Sequence, residues 1–367
     1  MNQIQQLINQ MCPNGVEWET LGEVAKLERG VVISKEYLRD NAGDYPVYSS
    51  QTENNGEFGK INTYRYNGAY VTWTTDGAYA GTVFRRYGKF NITNVCGLIN
   101  ILDKDSIDVN YLYYILSITT KKYVNEGMGN PKLMSNVMAK VKIPVPPLAI
   151  QTRIVEILDH FTNLTANLTA ELNLRRKQFE HYREKLLSLD GVEGVEWKKL
   201  GEVAEIKRGK RLTTKQLDTE NGFPVYHGGI EPIGFYHSSN RPANTVMVIN
   251  VGASAGTVGF CDVDFWSSDG CFCICQNDSI IRSKYLFYHL IGCEHQLKTK
   301  VRHAGIPTLD NKVVESVTIP IPPLAVQHSI VSILDKFTVL IENIEKELAL
   351  RQKQYEYYRE ELLRFGG

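Results

Sequence analysis

The chain has 367 residues, of which 43% are hydrophobic and 22% charged, a composition of folded domains with room for two or three cores. Lys and Arg together number 41, as do Asp and Glu, so the net charge is zero and any grip on nucleic acid has to come from local stripes of cations. No run of eighteen apolar residues occurs, and the first fifteen residues lack the basic start and apolar centre of a secretory signal, so the expectation is a cytoplasmic protein without membrane contact.

In chain order, VEWETLGEVA at 16–25 reads as a short turn and strand. A strand-rich region follows, with a β-branched and aromatic segment at 69–73 among Gly, Asn and Asp breaks. Residues 111–123 have the spacing of an amphipathic helix with an aromatic face. IPVPPLA at 143–149 stops regular structure, since two consecutive prolines are excluded from a helix interior but tolerated at its first turn. From 148 to 190 neither Pro nor Gly intervenes, and a helix of that length spans about 60 Å.

The chain then repeats itself with a period near 176 residues. VEWKKLGEVA occupies 195–204, FPVY at 223–226 answers YPVY at 45–48, and AGTV at 255–258 answers AGTV at 80–83. YLFY at 285–288 answers YLYY at 111–114, and IPIPPLA at 319–325 answers IPVPPLA. The segments at 245–249 and 285–297 read as a strand and a helix, and a second uninterrupted helix is expected over 324–365. Five collinear matches mark an internal duplication. The copies agree at their frames and diverge in the polar, loop-like stretches between Gly30 and Phe90 and between Gly209 and Phe265, which suits one fold recognising two different things. The expected division is a recognition domain over 1–146, a helix over 147–190, a second recognition domain over 191–322 and a second helix over 323–367.

Along the first helix, Phe161, Leu168, Phe179 and Tyr182 fall on a narrow stripe, and Phe337, Ile344, Tyr355 and Tyr358 repeat it in the second. Steps of four and three with one extra residue describe a coiled-coil seam, and a long helix with a narrow apolar stripe needs a partner. The other copy supplies it. The expected fold is therefore two similar mixed α/β (α+β) domains with pseudo-twofold relation, separated by two long helices in an antiparallel coiled coil.

Signatures of chemistry are missing. GASAGTVG at 252–259 lacks GxGxxG spacing, no GxxxxGK[ST] occurs, and Asn130-Pro131-Lys132 is not the step a base methyltransferase uses. Glu205-Ile206-Lys207 has a nuclease-like ExK spacing, yet the first copy has Lys26-Leu27-Glu28 there. The histidines of the second copy, among them His227 and His303, lack metal-ligand spacing. Cys271, Cys273 and Cys275 alternate along a strand and read as small core residues rather than a soft-metal site. No catalytic residue, metal or bound cofactor is assigned.

What remains is binding. Arg29, Lys35, Arg85 and Lys132 in the first copy, and Arg208, Lys210, Arg211, Lys215 and Arg302 in the second, are candidates for DNA phosphate contacts. Ser50, Gln51, Thr75 and Asn130, with His227, Asn250 and His303, sit in equivalent glycine-containing loops and are candidates for base contacts. A protein-binding scaffold built on the same helices is the alternative.

The duplicated VEWxxLGEVA opening, the IPxPPLAxQ closing step and helix ends of the form RxKQxExYRExLL resemble the specificity subunit of type I restriction-modification enzymes, over essentially the whole chain. Those ends stand here as RRKQFEHYREKLL at 175–187 and RQKQYEYYREELL at 351–363. The resemblance implies a non-catalytic chain whose two domains each read half of a bipartite DNA site, with the helices fixing the unread spacer and docking two methyltransferase subunits. S-adenosylmethionine, ATP and Mg would then belong to those methyltransferase subunits and to restriction-translocase partners. The chain is compact for this family and ends at Gly366-Gly367, soon after the second helix.

Overall fold

A computed structural model of the chain describes residues 3–127 and 129–365. Met128 of the first glycine loop and the closing Gly366-Gly367 lie outside them. The chain forms two units, one of residues 1–167 with 348–367 and one of residues 168–347. Each linking helix is thus shared. The first, Leu148–Leu187, gives its opening half to one unit and its closing half to the other, and the second, Leu324–Leu363, does the reverse.

The first unit is organised by a six-stranded sheet in the order Ala25–Arg29, Cys96–Ile101, Tyr66–Thr74, Val83–Ile92, Ala42–Tyr48, Glu57–Ile61. Every neighbouring pair is antiparallel except Ala42–Tyr48 beside Val83–Ile92, where Val47 faces Asn91. One face buries Val71, Trp73 and Ile99 against the helix Val109–Thr119, whose apolar residues Tyr111, Leu112, Ile115 and Leu116 are fully covered. Asp108 starts that helix because its carboxylate accepts from the Asn110 and Tyr111 amides, satisfying donors the first turn leaves free.

The second unit repeats the plan with a break. Ala204–Arg208, Cys271–Gln276, Thr245–Ile249 and Val258–Cys261 form one sheet, and Phe235–Tyr236, Phe223–Tyr226 and Trp266–Ser267 another. The ten-residue strand of the first copy corresponds to two short ones here, separated by Asp262, Val263, Asp264 and Phe265, yet the parallel step survives as Val225 against Trp266. Cys271 and Cys273 are buried and Cys275 is half-buried, and burial pushes the Cys271 thiol up to about 12. They behave as core residues.

The proline step and the domain helix are locked by the same contacts in both units. Gln151, fully buried, donates to the carbonyls of Pro146 (2.7 Å) and Ser106 (2.8 Å) and accepts from the Asp108 amide (2.9 Å). Gln327 does likewise with Pro322 (2.9 Å), Ile280 (2.9 Å) and the Arg282 amide (2.8 Å). Tyr111 and Tyr285 donate to the Pro144 and Pro320 carbonyls at 2.9 and 3.1 Å. Further along, Asp159 accepts from Tyr114 at 2.6 Å, and Asp335 from Tyr288 at 2.5 Å.

The expected helix pairing is present inside each unit. Phe161 stacks on Tyr358 with ring centroids 5.2 Å apart, and the equivalent Phe337 stacks on Tyr182 at 5.3 Å. Within the second unit, Arg176 pairs with Glu345 at 2.6 Å, so rising numbers on one helix meet falling numbers on the other, the antiparallel sense. Ile344 is buried and Leu168 half-buried. Two seam positions differ from expectation. Phe179 packs against Tyr288, and its equivalent Tyr355 joins the first domain's core, because a 3.6-residue helix drifts away from a 3.5-residue stripe after the extra residue. The stripe also omits a second apolar face, in which Ile150, Ile154 and Leu158, and equivalently Ile330 and Leu334, seal the domains.

By length and composition alone the second linking helix could cross a bilayer. In the fold the same helix uses Gln327 as a buried lock and Asp335 as the partner of Lys284 and Tyr288, polar ties that a spanning segment would have to desolvate.

Candidate nucleic-acid interface

Arg29 ends the strand Ala25–Arg29, and the next residue, Gly30, comes so close to its neighbour that a Cβ would lie 2.0 Å from the Ile92 carbonyl oxygen. Arg208 and Gly209 repeat this, with a Cβ 2.2 Å from the Ser267 oxygen. Only glycine permits the approach, and it sets each arginine beside the loop before the next core strand. Arg29 donates to the Asn94 carbonyl, and Arg208 donates through Nε to the equivalent Asp269 carbonyl at 2.9 Å. The frame is shared; the surroundings differ.

In the first unit Arg29 also donates to Thr75 Oγ1 at 3.0 Å and faces Asp76 Oδ2 at 3.4 Å, while Thr75 donates to Asp76 at 2.5 Å. Lys132 Nζ stands 4.0 Å from the other Asp76 oxygen. The Gly77 amide donates to the Pro131 carbonyl at 3.0 Å, which draws the loop carrying exposed Asn130 to the same place. A shallow recess lined by Asn125, Gly127, Asn130 and Lys132 opens there. Ser50 and Gln51 are half-buried one loop away, where the Thr93 amide donates to the Tyr48 carbonyl at 2.8 Å; Gln51 donates to the Glu57 carbonyl.

In the second unit Arg208, Asn250 and Arg302 line one recess together with Val251, Thr308 and Asn311. The Asn250 amide donates to the Gly270 carbonyl at 3.1 Å, and Asn250 Oδ1 is buried without a partner. Arg302 pairs with Asp310 at 3.0 Å, and His303 beside it is exposed. Lys210 joins through its backbone: its amide donates to the Ser267 carbonyl at 2.9 Å and its own carbonyl accepts from Trp266 Nε1 at 2.7 Å. His227 Nδ1 lies 3.4 Å from Asp269 Oδ1. Six of the sequence candidates in this copy therefore converge on one set of loops.

Others do not converge. Lys35, Arg211 and Lys215 are exposed outside both clusters, Lys35 opening the helix Lys35–Asp40 and Lys215 in the turn Thr214–Gln216. Arg85 corrects the sequence assignment. Its guanidinium pairs with Asp159 at 2.6 Å and lies 4.8 Å from the Tyr113 ring centroid, so its charge ties the domain to its helix and is withdrawn from the candidate surface. Asp76 and Asp269 were missed because acidic residues are poor phosphate ligands, although both occur in short polar turns at core-strand ends, where side chains that orient cations belong. The ExK spacing proves to be an ion pair within one strand, found once in each copy: Lys26 meets Glu28 at 3.0 Å and Lys207 meets Glu205 at 2.9 Å, with the charges exchanged. Among the described residues no group of three or more His, Cys, Asp or Glu could hold a metal ion.

Duplicated α/β domains, each with a polar cluster at the same strand end and each clasped by halves of two long helices, define a double-headed recognition protein. Residues 13–174 and 192–350 both match the type I restriction modification DNA specificity domain. A protein of Mycoplasma pneumoniae described as type I specificity subunit S.MpnORF507P is 33% identical over 358 residues, covering 94% of this chain and 96% of its own. The type I restriction enzyme specificity subunit S.HindORF215P of Haemophilus influenzae is 32% identical, covering 96% of each chain. The crystal structure of the S subunit of a type I restriction-modification system from M. genitalium has the same fold, with a TM-score of 0.76 at 20% identity over 96% of this chain and 98% of that one. This chain belongs to the family of type I DNA specificity subunits. It is the DNA specificity subunit of a restriction-modification complex, carries two recognition domains, and does not itself perform catalysis.

Proposed function

We propose that the two polar clusters are the DNA-reading surfaces, each taking one half of a bipartite duplex target. The observation that supports this most is the matched pair Arg29–Asn94 and Arg208–Asp269: one anchored cation in the same place, surrounded by different polar side chains. Fixed cations position the backbone of the duplex, and variable side chains beside them discriminate base edges. Arg29, Thr75, Asn130 and Lys132, with Ser50 and Gln51 near by, serve the first half. Arg208, Lys210, His227, Asn250, Arg302 and His303 serve the second, with Arg211 and Lys215 as peripheral phosphate contacts.

The two linking helices set the unread spacer between the halves and dock two methyltransferase subunits, which supply S-adenosylmethionine. Restriction-translocase subunits, with their ATP and Mg, complete the assembly, and the cytoplasm is the compartment in which it works. A chain of zero net charge is suited to this division of labour, because partner subunits share the contact with phosphate.

The direct test is salt-dependent binding. Replacing Arg208, Lys210 and Arg211 together by Ala in the assembled complex should weaken DNA binding irrespective of sequence. The slope of log affinity against log salt should fall by roughly 0.9 for each phosphate contact removed. An unchanged affinity and slope in a complex of unchanged melting temperature would take this stripe out of the interface.

A further inference from the structure

Asp269 is held from several sides. Arg208 donates to its carbonyl at 2.9 Å, Ser268 Oγ donates to its Oδ1 at 3.2 Å, and the loop behind it is fixed by Asn240, which donates to the Ser267 carbonyl at 3.0 Å and accepts from the Ser267 amide at 2.8 Å. Arg241, donating to the Arg208 carbonyl at 3.1 Å, ties this loop to the strand end. Onto this support the His227 ring is laid, Nδ1 at 3.4 Å from the carboxylate and the side chain 43% exposed. The close approach depends on Gly270, since a Cβ there would lie 2.8 Å from His227 Nδ1 and 2.7 Å from the Gly228 nitrogen. The corresponding residues of the first domain are Ser49 and Asn94, so the pair is peculiar to the second.

A carboxylate beside Nδ1 favours the tautomer with its proton on that nitrogen and leaves Nε2 as an acceptor. In the major groove the groups that donate to an acceptor are the exocyclic amines, N6 of adenine and N4 of cytosine. We propose that His227 is a specificity-determining residue of the second recognition domain, accepting through Nε2 from the amino group of an adenine or cytosine, with Asp269 as its positioning residue. The assignment rests on the two-reader function above and adds the atom and the base chemistry.

The test uses the complex with its methyltransferase subunits. Modified sites are mapped for the native chain, for His227→Phe, which keeps a ring without the acceptor, and for His227→Gln, which keeps an acceptor on a different frame. His227→Phe should relax one position in one half of the target and leave the other half intact, while His227→Gln retains preference there. Duplexes in which that position carries purine in place of adenine, or 2-pyrimidinone in place of cytosine, lack only the amine. They should bind the native complex about tenfold less tightly and the His227→Phe complex equally well. The analogue that has the effect identifies which of the two bases is read. A split native motif that His227→Phe leaves unaltered, or a relaxed position at which deleting the amine costs nothing, would overturn the assignment of His227 alone. A native complex that modifies no split motif would overturn the two-reader function and this assignment with it.

Discussion

Exchanging residues 210–318 for the corresponding segment of another specificity subunit should replace one half of the modified motif completely and leave the other half and the spacer unchanged. The segment begins after Arg208-Gly209, the shared anchor, and ends before the Pro320–Pro322 step. The strand Glu196–Lys199, its partner residues Ile319, Pro320 and Ile321, and the bond from Gln327 to the Pro322 carbonyl are therefore retained, while the incoming segment supplies the counterparts of the Ile280 carbonyl and Arg282 amide. The reason to expect an all-or-none change is that the polar clusters are contained within separate units: Asn250, Arg302, His227 and Asp269 belong to one, and Thr75, Asp76 and Lys132 to the other. Each mismatched base pair in a specific site costs about 1–3 kcal/mol, so three or four altered positions abolish use of the old half-site. Mapping modified bases for the chimera checks this. A change in both halves would mean that the domains do not read independently.

The second large effect is on stability. Replacing Gln327 by Leu should destabilise the second unit by about 2–5 kcal/mol, because two carbonyls and one amide lose their partner in a site closed to water. Leucine has a similar volume, so the loss is polar rather than steric. Gln151→Leu, with the same three bonds, should cost the first unit as much. Thermal unfolding by calorimetry reads both, and a second unit that melts unchanged in the Gln327 variant would show that the lock contributes nothing.

These glutamines also show how much of the fold the sequence disclosed. IPxPPLAxQ is visible as a repeated string, and the proline rule allows its last proline in the first helical turn; each helix begins one residue later, at Leu148 and Leu324. What a string does not disclose is that the glutamine three residues into each helix reaches back across the prolines to a loop more than forty residues away in sequence. The seam was legible in part for a similar reason. Phe161, Tyr182, Phe337 and Tyr358 obey the periodicity, whereas Phe179 and Tyr355 are claimed by the domains, whose position relative to the helix face no period records.

The candidate site was legible as a set of loops and less so as a set of contacts. Equivalent positions in the two copies pointed to Arg29 with Arg208 and to Thr75 with Asn250. Arg85 misled because a cation on a strand looks the same in sequence whether it meets phosphate or Asp159. Asp269 was missed because its role exists only through His227, forty-two residues earlier, and the glycine that lets them approach. Residues that act through another residue leave little trace until the fold brings them together.

The most direct measurement of the central claim is a genome-wide map of modified bases in cells expressing this chain with its methyltransferase subunits. The account predicts methylation confined to one split motif, two specified halves around a gap of fixed length in which sequence is irrelevant. Methylation at a single uninterrupted motif, or none from a verified stable complex, would contradict the reading of two domains as two readers.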